Sequence, residues 1–182
     1  FTCGSRRHCC RTGSAHNRPQ QRLIPAVKRF TDLITDVLDN ITEVFPWDIE
    51  EQMDDSEQRP LILDIREPDE FSAMHIEDSL HVPRGILETA CEYNYEETVR
   101  ELVEARDRAI VVTCRSGNRS ALAAYTMQLM GYRRVSSMKT GLRGWNDYEL
   151  PLVDAAGNTV PVDVADDFFT ARLRPDQMAP EK

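Results

Sequence analysis

The sequence lacks a long apolar run, since none of its 182 residues belongs to a stretch near the roughly 20 apolar residues that span a bilayer. It also lacks acidic residues before Asp32, where seven of its 22 Lys and Arg lie. All 31 Asp and Glu therefore lie in the rest of the chain, which should repel nucleic acid. We expect a soluble globular protein that binds neither nucleic acid nor membranes.

Cysteine is scarce in the body of the chain. Three of the five cysteines lie within the first ten residues, which leaves Cys91 and Cys114. This distribution does not form a disulfide framework, and an odd number of cysteines suits a reducing compartment. The cysteine pattern therefore predicts a cytoplasmic protein.

Residues 1–22 show no apolar periodicity and are rich in Arg, Ser and Gly. We interpret them as a disordered or leader segment outside the fold. Two alternatives stay open, an organelle-targeting segment and a small metal site whose spacing matches no standard zinc pattern. The candidate ligands of that metal site are Cys3, His8, Cys9, Cys10 and His16.

Residues 23–40 are predicted to form an amphipathic helix, because apolar residues recur there at helical spacing. Lys28 and three Asp residues occupy the polar face. That acidic face argues against a helix lying on anionic lipid. The apolar stripe could instead bind a protein partner or a second copy of the chain. Its members are Leu23, Ile24, Val27, Phe30, Leu33, Ile34, Val37, Leu38 and Ile41.

Strand and helix patterns alternate over residues 41–153. PLILD (60–64) and AIVVT (109–113) are continuous apolar runs, typical of strands buried on both faces of a parallel sheet. Shorter strands are predicted at HVP (81–83) and RVSSM (134–138), and ITEVF (41–45) either extends the first helix or forms a strand. Further helices are predicted at 47–55, from 67, at 95–107 and at 120–130. The alternation predicts an α/β domain with a mainly parallel sheet. The acidic residues 154–182 are interpreted as an extension that contributes little to the core.

Cys114 lies at the junction of a predicted strand and a predicted helix, in VVTCRSGNRSALAAY (111–125). Backbone N–H groups in such a turn and the positive end of the following helix favour an anion. Arg115 and Arg119 add positive charge, and Gly117 permits a tight curl of the backbone. These features favour a thiolate nucleophile at Cys114. The alternative is a buried structural cysteine, which would need none of the flanking residues.

Three segments resemble, in order, the signatures of the rhodanese domain of sulfurtransferases. They are LILDIREPDEFSAMHIEDSLHVPRG (61–85), CRSGNRS (114–120) and KTGLRGWNDYELPLV (139–153). The resemblance covers roughly residues 41–153 and implies a rhodanese-like fold with a five-stranded sheet and helices on both faces. Met74, Asp78 and Thr140 stand where the family usually has glycine.

The resemblance implies that Cys114 takes sulfane sulfur from thiosulfate or a similar anionic donor and holds it as a persulfide. A thiol, cyanide or a protein would then accept the sulfur, and neither a metal nor an organic cofactor would be needed. The implied persulfide loop consists of Arg115, Ser116, Gly117, Asn118, Arg119 and Ser120.

Other residues receive supporting roles. We expect Arg115 to attract the donor, and Asp64 and Arg66 to support the loop from the end of their strand. Arg119 either binds substrate or pairs with an acid such as Asp64. His75 and His81 are interpreted as hydrogen-bonded structural residues, and Trp145 as part of the core.

Two other functions remain open. Rhodanese-like domains also occur as catalytically silent interaction or regulatory modules, and related folds act as cysteine-dependent phosphatases. The phosphatases use five residues between Cys and Arg, whereas four separate Cys114 from Arg119. The shorter loop favours sulfur transfer, and the presence of Cys114 argues against a silent module.

Overall fold

A computed structural model describes residues 27–53 and 59–180 of the chain. The strands of this part form a single parallel sheet with the order β1-β5-β4-β2-β3. They are β1 (Thr42–Val44), β2 (Leu61–Asp64), β3 (Leu80–His81), β4 (Ile110–Thr113) and β5 (Val135–Met138). The predicted five-stranded α/β architecture is confirmed, and ITEVF contains a strand rather than a continuation of the first helix.

Helices cover both faces of this sheet. Alternate residues of the central strands point to opposite sides, so that Leu63 and Val112 lie in one core and Ile62 and Val111 in the other. The first core is completed by α4, α5 and α6, and the second by α2, α7 and α8. The helices are α1 (Phe30–Leu38), α2 (Pro46–Met53), α3 (Pro68–Ala73), α4 (Leu87–Ala90), α5 (Arg100–Val103), α6 (Asn118–Leu129), α7 (Gly141–Asp147) and α8 (Val162–Phe169).

The carboxyl ends of the two central strands lie side by side. Asp64 at the end of β2 is in register with Thr113 at the end of β4, and Cys114 follows directly. In open parallel sheets, ligands bind beyond this edge. The sheet therefore brings the first two signature segments together at one place.

The first helix is shorter than its apolar periodicity predicts. It begins at Phe30, where the Asp32 carboxylate accepts a hydrogen bond from the Arg29 backbone N–H, and it ends at Leu38. α1 packs on α6, and Val37 is buried while Phe30 and Leu33 remain exposed. The part of the prediction that covers residues 23–26 lies outside the described residues.

The helix predicted for 95–107 is wrong over most of its length, because only Arg100–Val103 is helical. Thr98 accounts for the missing first part of the helix. Its hydroxyl, which has one proton to donate, lies 2.7 and 2.8 Å from the carbonyl oxygens of Glu92 and Tyr95 and accepts from the Tyr95 N–H. Side-chain bonds of this kind stabilise a local turn that competes with the helix.

The extension after residue 153 contributes more to the core than the sequence indicated. Ala165 is fully buried and Phe169 is 4% exposed, and both belong to the second core. Asn146 of α7 also donates a hydrogen bond to Asp166 of α8 at 2.7 Å. The burial of α8 could not be recognised from its acidic composition, because the charged residues occupy the exposed positions of the helix. Among residues 27–53 and 59–180, no helix is both long and apolar enough to cross a membrane.

Candidate active site

The turn between β4 and α6 directs backbone amides at the sulfur of Cys114. The N–H groups of Gly117 and Ser120 lie 3.2 and 3.4 Å from Sγ. Gly117 adopts φ +90°, a conformation that glycine reaches without strain, and α6 starts at the next residue. The amides of the first turn of α6 have no acceptor within the helix, so this end carries partial positive charge. The turn is therefore suited to hold a negatively charged sulfur.

Ser120 and Ser137 form hydrogen bonds that hold this turn against the sheet. Ser137 on β5 donates a hydrogen bond to Ser120 Oγ at 2.9 Å, and Ser120 donates to the Gly117 carbonyl oxygen at 2.9 Å. The Cys114 thiol lies 3.5 Å from the same Ser120 hydroxyl. All of these groups except the Gly117 carbonyl belong to buried side chains, so the network determines how the turn sits on the sheet.

Helix α7 supports the loop from its outer side. The N–H groups of Leu142 and Arg143 donate to the carbonyl oxygens of Cys114 and Arg115 at 2.8 and 3.0 Å. Gly141 has φ +59°, and a Cβ placed there would lie 2.4 Å from the Cys114 carbonyl oxygen. Such a separation is far inside van der Waals contact, so the close approach of α7 requires glycine at this position.

Arg119 and Glu70 form a two-pronged ion pair. Both Nη atoms of Arg119 lie 2.8 Å from carboxylate oxygens of Glu70 on α3. Partial burial raises the pKa of the Glu70 carboxyl, but hydrogen bonds from Arg119 and the Glu67 N–H, together with the charge of Arg119, leave that pKa below its ordinary value. Arg119 therefore pairs with an acid, as one of the two expectations held, but that acid is Glu70 and not Asp64.

Asp64 is occupied by Arg66, and both side chains are fully buried. Arg66 Nη2 lies 2.7 Å from Asp64 Oδ2, and the same nitrogen donates to the Met74 carbonyl oxygen at 2.6 Å. Met74 follows the last residue of α3, so the buried pair holds the end of the helix that carries Glu70. Asp64 and Arg66 thus reach the loop through α3 rather than by direct contact with Arg119.

Arg115 points away from the sheet, toward the C-terminal extension. Its Nη2 donates to the carbonyl oxygen of Phe169 at 2.8 Å. Among the other loop residues, Ser116 is half-buried and Asn118 is exposed. The structure therefore brings the predicted loop residues around Cys114, but their side chains point to different partners.

The two histidines make the hydrogen bonds expected of structural residues. His75 Nδ1 donates to the Phe71 carbonyl oxygen at 3.0 Å, and His81 Nε2 donates to the Arg66 carbonyl oxygen at 2.9 Å. Both rings stack on Phe71, with centroid distances of 4.0 and 4.2 Å. Trp145 is buried in the second core, as predicted.

Cys91 and Cys114 are both buried in the first core, but their surroundings differ. The N–H groups of Gly117 and Ser120 point at Cys114 Sγ, whereas burial raises the pKa of the Cys91 thiol. Burial of this kind disfavours the thiolate and hence reactivity. Within the described ranges no group of three or more His, Cys, Asp or Glu is arranged to hold a metal ion, and the candidate ligands in residues 1–22 lie outside those ranges.

Two of the three departures from the family pattern keep the backbone shape that glycine would adopt. Asp78 has φ +60° and Thr140 has φ +66°, both in the left-handed region. Met74 has φ −168°, which is extended backbone open to any residue. The turns are therefore preserved, at some cost in strain at Asp78 and Thr140.

Glu70, Ser137 and Gly141 are supporting residues that the sequence did not single out. Glu70 follows strand β2 within the first turn of a predicted helix, and that placement is a usable signal. Ser137 lies inside a strand, where its sequence position gives no sign of its contact with Ser120. Gly141 could be recognised only from its place three residues after the end of β5, at the start of α7.

Comparison with known proteins assigns the chain to a family. The rhodanese-like domain matches residues 46–148. A putative sulfur carrier protein of Bacillus subtilis is 30% identical over 139 residues, which are 76% of this chain and 60% of that protein. A sulfurtransferase of Allochromatium vinosum is 32% identical over 118 residues, which are 64% of this chain and 99% of that protein. This chain belongs to the rhodanese-like domain family.

One solved structure shares the fold of this chain over most of the solved protein's length. It is a protein of unknown function from Rhodopseudomonas palustris, described as a possible tyrosine phosphatase. The two chains are 27% identical, with a TM-score of 0.63 over 69% of this chain and 94% of the other. The first of the relatives above extends well beyond the part that this chain matches, since only 60% of its length is covered.

Proposed function

We propose that this protein is a sulfurtransferase that carries sulfane sulfur as a persulfide on Cys114. The observation that carries the proposal is the pair of backbone amides at 3.2 and 3.4 Å from Cys114 Sγ, at the start of α6. The names of the two relatives, a sulfur carrier protein and a sulfurtransferase, support the same chemistry.

In the first step the Cys114 thiolate attacks the outer sulfur of thiosulfate or a similar anionic donor. The new bond joins Cys114 Sγ to that sulfur, the bond between the two sulfurs of the donor breaks, and sulfite leaves with the electron pair. The product is a persulfide anion, which the N–H groups of Gly117 and Ser120 stabilise as preorganised donors.

In the second step an acceptor takes the outer sulfur. A thiolate, cyanide or a protein thiolate attacks it, the S–S bond of the persulfide breaks, and Cys114 is restored as the thiolate. Neither step changes the number of protons or requires an added oxidant, so no metal or organic cofactor takes part. A thiolate-based cycle suits the reducing cytoplasm, which we propose as the compartment.

The site geometry argues against the two other functions. A silent binding module has no use for amides that converge on a cysteine sulfur. A phosphatase of related fold would need Arg119 for its phosphate, and in this chain Arg119 is occupied by Glu70. The description of the R. palustris structure nevertheless keeps the phosphatase as the second candidate, and the assay below includes it.

The proposal is tested by assaying thiocyanate formation from thiosulfate and cyanide with the wild type, Cys114→Ser and Cys91→Ser. Cys91→Ser is the matched control, because it changes the other described thiol in the same way. We expect activity in the wild type and in Cys91→Ser, and only background in Cys114→Ser. Each protein is also given an aryl phosphate. Hydrolysis of that phosphate which depends on Cys114, without thiocyanate formation, would establish the phosphatase instead.

A further inference from the structure

Arg115 is held from two sides. Its backbone carbonyl oxygen accepts a hydrogen bond from the Arg143 N–H of α7 at 3.0 Å. Its guanidinium Nη2 donates to the carbonyl oxygen of Phe169 at 2.8 Å and lies 3.5 Å from that of Phe168. These two carbonyls belong to the last two residues of α8. The residue that follows the nucleophile is thus bonded to the end of a helix, at residues more than fifty positions later in the chain.

The end of α8 has a fixed position relative to the loop. Ala165 and Phe169 pack into the second core, and Asn146 of α7 donates to Asp166 of α8. Helix α7 in turn is bonded to the loop through Leu142 and the Cys114 carbonyl oxygen. The loop, α7 and α8 therefore form one packed unit.

The electrostatics of this contact are favourable. The last carbonyl groups of a helix carry partial negative charge, and an arginine there is stabilised. Arg115 has five N–H donors, and its contact with α8 uses a single nitrogen.

We infer that α8 is a positioning element of the active site, which holds the Arg115 guanidinium at the rim of the loop and so sets how efficiently an anionic sulfur donor reacts with Cys114. α8 lies outside residues 46–148, so the inference concerns this chain and not the matched domain. It rests on the proposed sulfur transfer and adds to it the part of the chain that controls the donor step.

The first test displaces α8 with Ala165→Glu, because Ala165 is fully buried against the second core. Val164→Glu is the matched control, since it places the same charge on the neighbouring residue, which is 51% exposed. The readout is kcat/KM for thiosulfate, which in a two-step exchange reports only the donor step. We expect Ala165→Glu to lower it about twofold to fivefold, which lies within the range for an exposed ion pair. Val164→Glu should lower it much less.

A double-mutant cycle separates positioning from general destabilisation. If α8 acts through Arg115, then Arg115→Ala should lower kcat/KM for thiosulfate by a similar factor, and Ala165→Glu should add nothing in that background. The kcat/KM for dithiothreitol, which reports the acceptor step, should fall much less than the kcat/KM for thiosulfate in each variant. Effects that multiply in the double variant, or an equal loss with both substrates, would overturn the inference.

A second pair guards against misfolding of Ala165→Glu. Phe169→Ala removes a buried ring from the end of α8, whereas Phe168→Ala removes a ring that is 37% exposed. We expect only Phe169→Ala to slow the donor step, and equal rates in the two variants would contradict the inference. Failure of the proposed function looks different, because the wild type itself would then form no persulfide with thiosulfate.

Discussion

Glu70 and Arg119, which are 49 residues apart in the sequence, join two signature segments through two hydrogen bonds of 2.8 Å. Glu70 stands on α3 after β2, and Arg119 stands in the first turn of α6 after β4. The pair therefore closes the carboxyl edge of the sheet across the two central strands. We interpret it as the clamp that holds the Cys114 loop at a fixed distance from α3.

Replacing Glu70 with Gln should loosen the clamp. The pair is partly buried, so we expect Glu70→Gln to lower the free energy of unfolding by about 1–2 kcal/mol and to reduce kcat. Glu88→Gln is the matched control, since Glu88 is more exposed than Glu70 and pairs with Arg84 in an i,i+4 contact of the kind that contributes about 0.5 kcal/mol or less. Chemical denaturation and steady-state kinetics of both variants provide the measurement. Equal effects of the two changes would show that Glu70 has no special role.

The Glu70 carboxyl should make the free energy of unfolding depend on pH. The pKa of Glu70 is lower in the folded protein than its ordinary value of 4.5, so the unfolded chain binds the proton more readily. The stabilisation from Glu70 is therefore complete above pH 4.5 and is lost as the pH falls through the folded-state pKa. The difference in unfolding free energy between wild type and Glu70→Gln should accordingly be largest near neutral pH and shrink below pH 4.5. A difference that stays constant in acid would contradict this account.

Gly141 should not tolerate a side chain. A Cβ there would meet the Cys114 carbonyl oxygen at 2.4 Å and the Ser116 nitrogen at 2.7 Å, so Gly141→Ala must push α7 away from the loop. We expect a loss of about 2–4 kcal/mol in stability and a large loss of activity.

Gly157→Ala is the control for backbone strain. Gly157 also has positive φ, at +82°, but nothing lies within 4 Å of its added Cβ. Strain alone should cost about 1 kcal/mol there and leave activity intact. Thermal melts and activity assays of both variants measure the difference, and full activity in Gly141→Ala would show that the close approach of α7 is dispensable.

Asp78 provides a test of backbone strain at positive φ. Its φ of +60° is strained for any residue with a Cβ, so Asp78→Gly should be more stable than Asp78→Ala by about 1 kcal/mol. Both variants lack the exposed ion pair between Asp78 and Arg59, so that ion pair does not contribute to the difference in stability between them. Denaturation midpoints of the two variants decide the matter, and a more stable Ala variant would mean that the turn relaxes when Asp78 is replaced.

The sequence predicts the centre of this fold well because the physics there is local. β2 and β4 are continuous apolar runs, and strands buried on both faces require such runs. Gly117 and the start of α6 follow from the strand-turn-helix pattern around Cys114. The helix expected at 95–107 was wrong at its beginning because the hydrogen bonds of the Thr98 side chain stabilise a turn there.

Contacts between distant segments were harder to predict. The partner of Arg119 depends on where α3 sits above the sheet edge, and Asp64 was unavailable because Arg66 is buried against it. The role of α8 was missed because acidic residues dominate its sequence, while only Ala165 and Phe169 of the helix are buried. The partner of Arg119 and the burial of α8 depend on tertiary packing, which a local sequence pattern does not determine.

The central claim is that Cys114 carries sulfur as a persulfide, and intact mass spectrometry after incubation with thiosulfate tests it most directly. The account predicts that the wild type and Cys91→Ser each gain the mass of one sulfur atom, that dithiothreitol removes it, and that Cys114→Ser gains nothing. An unchanged wild-type mass, or the same gain in Cys114→Ser, would contradict the account.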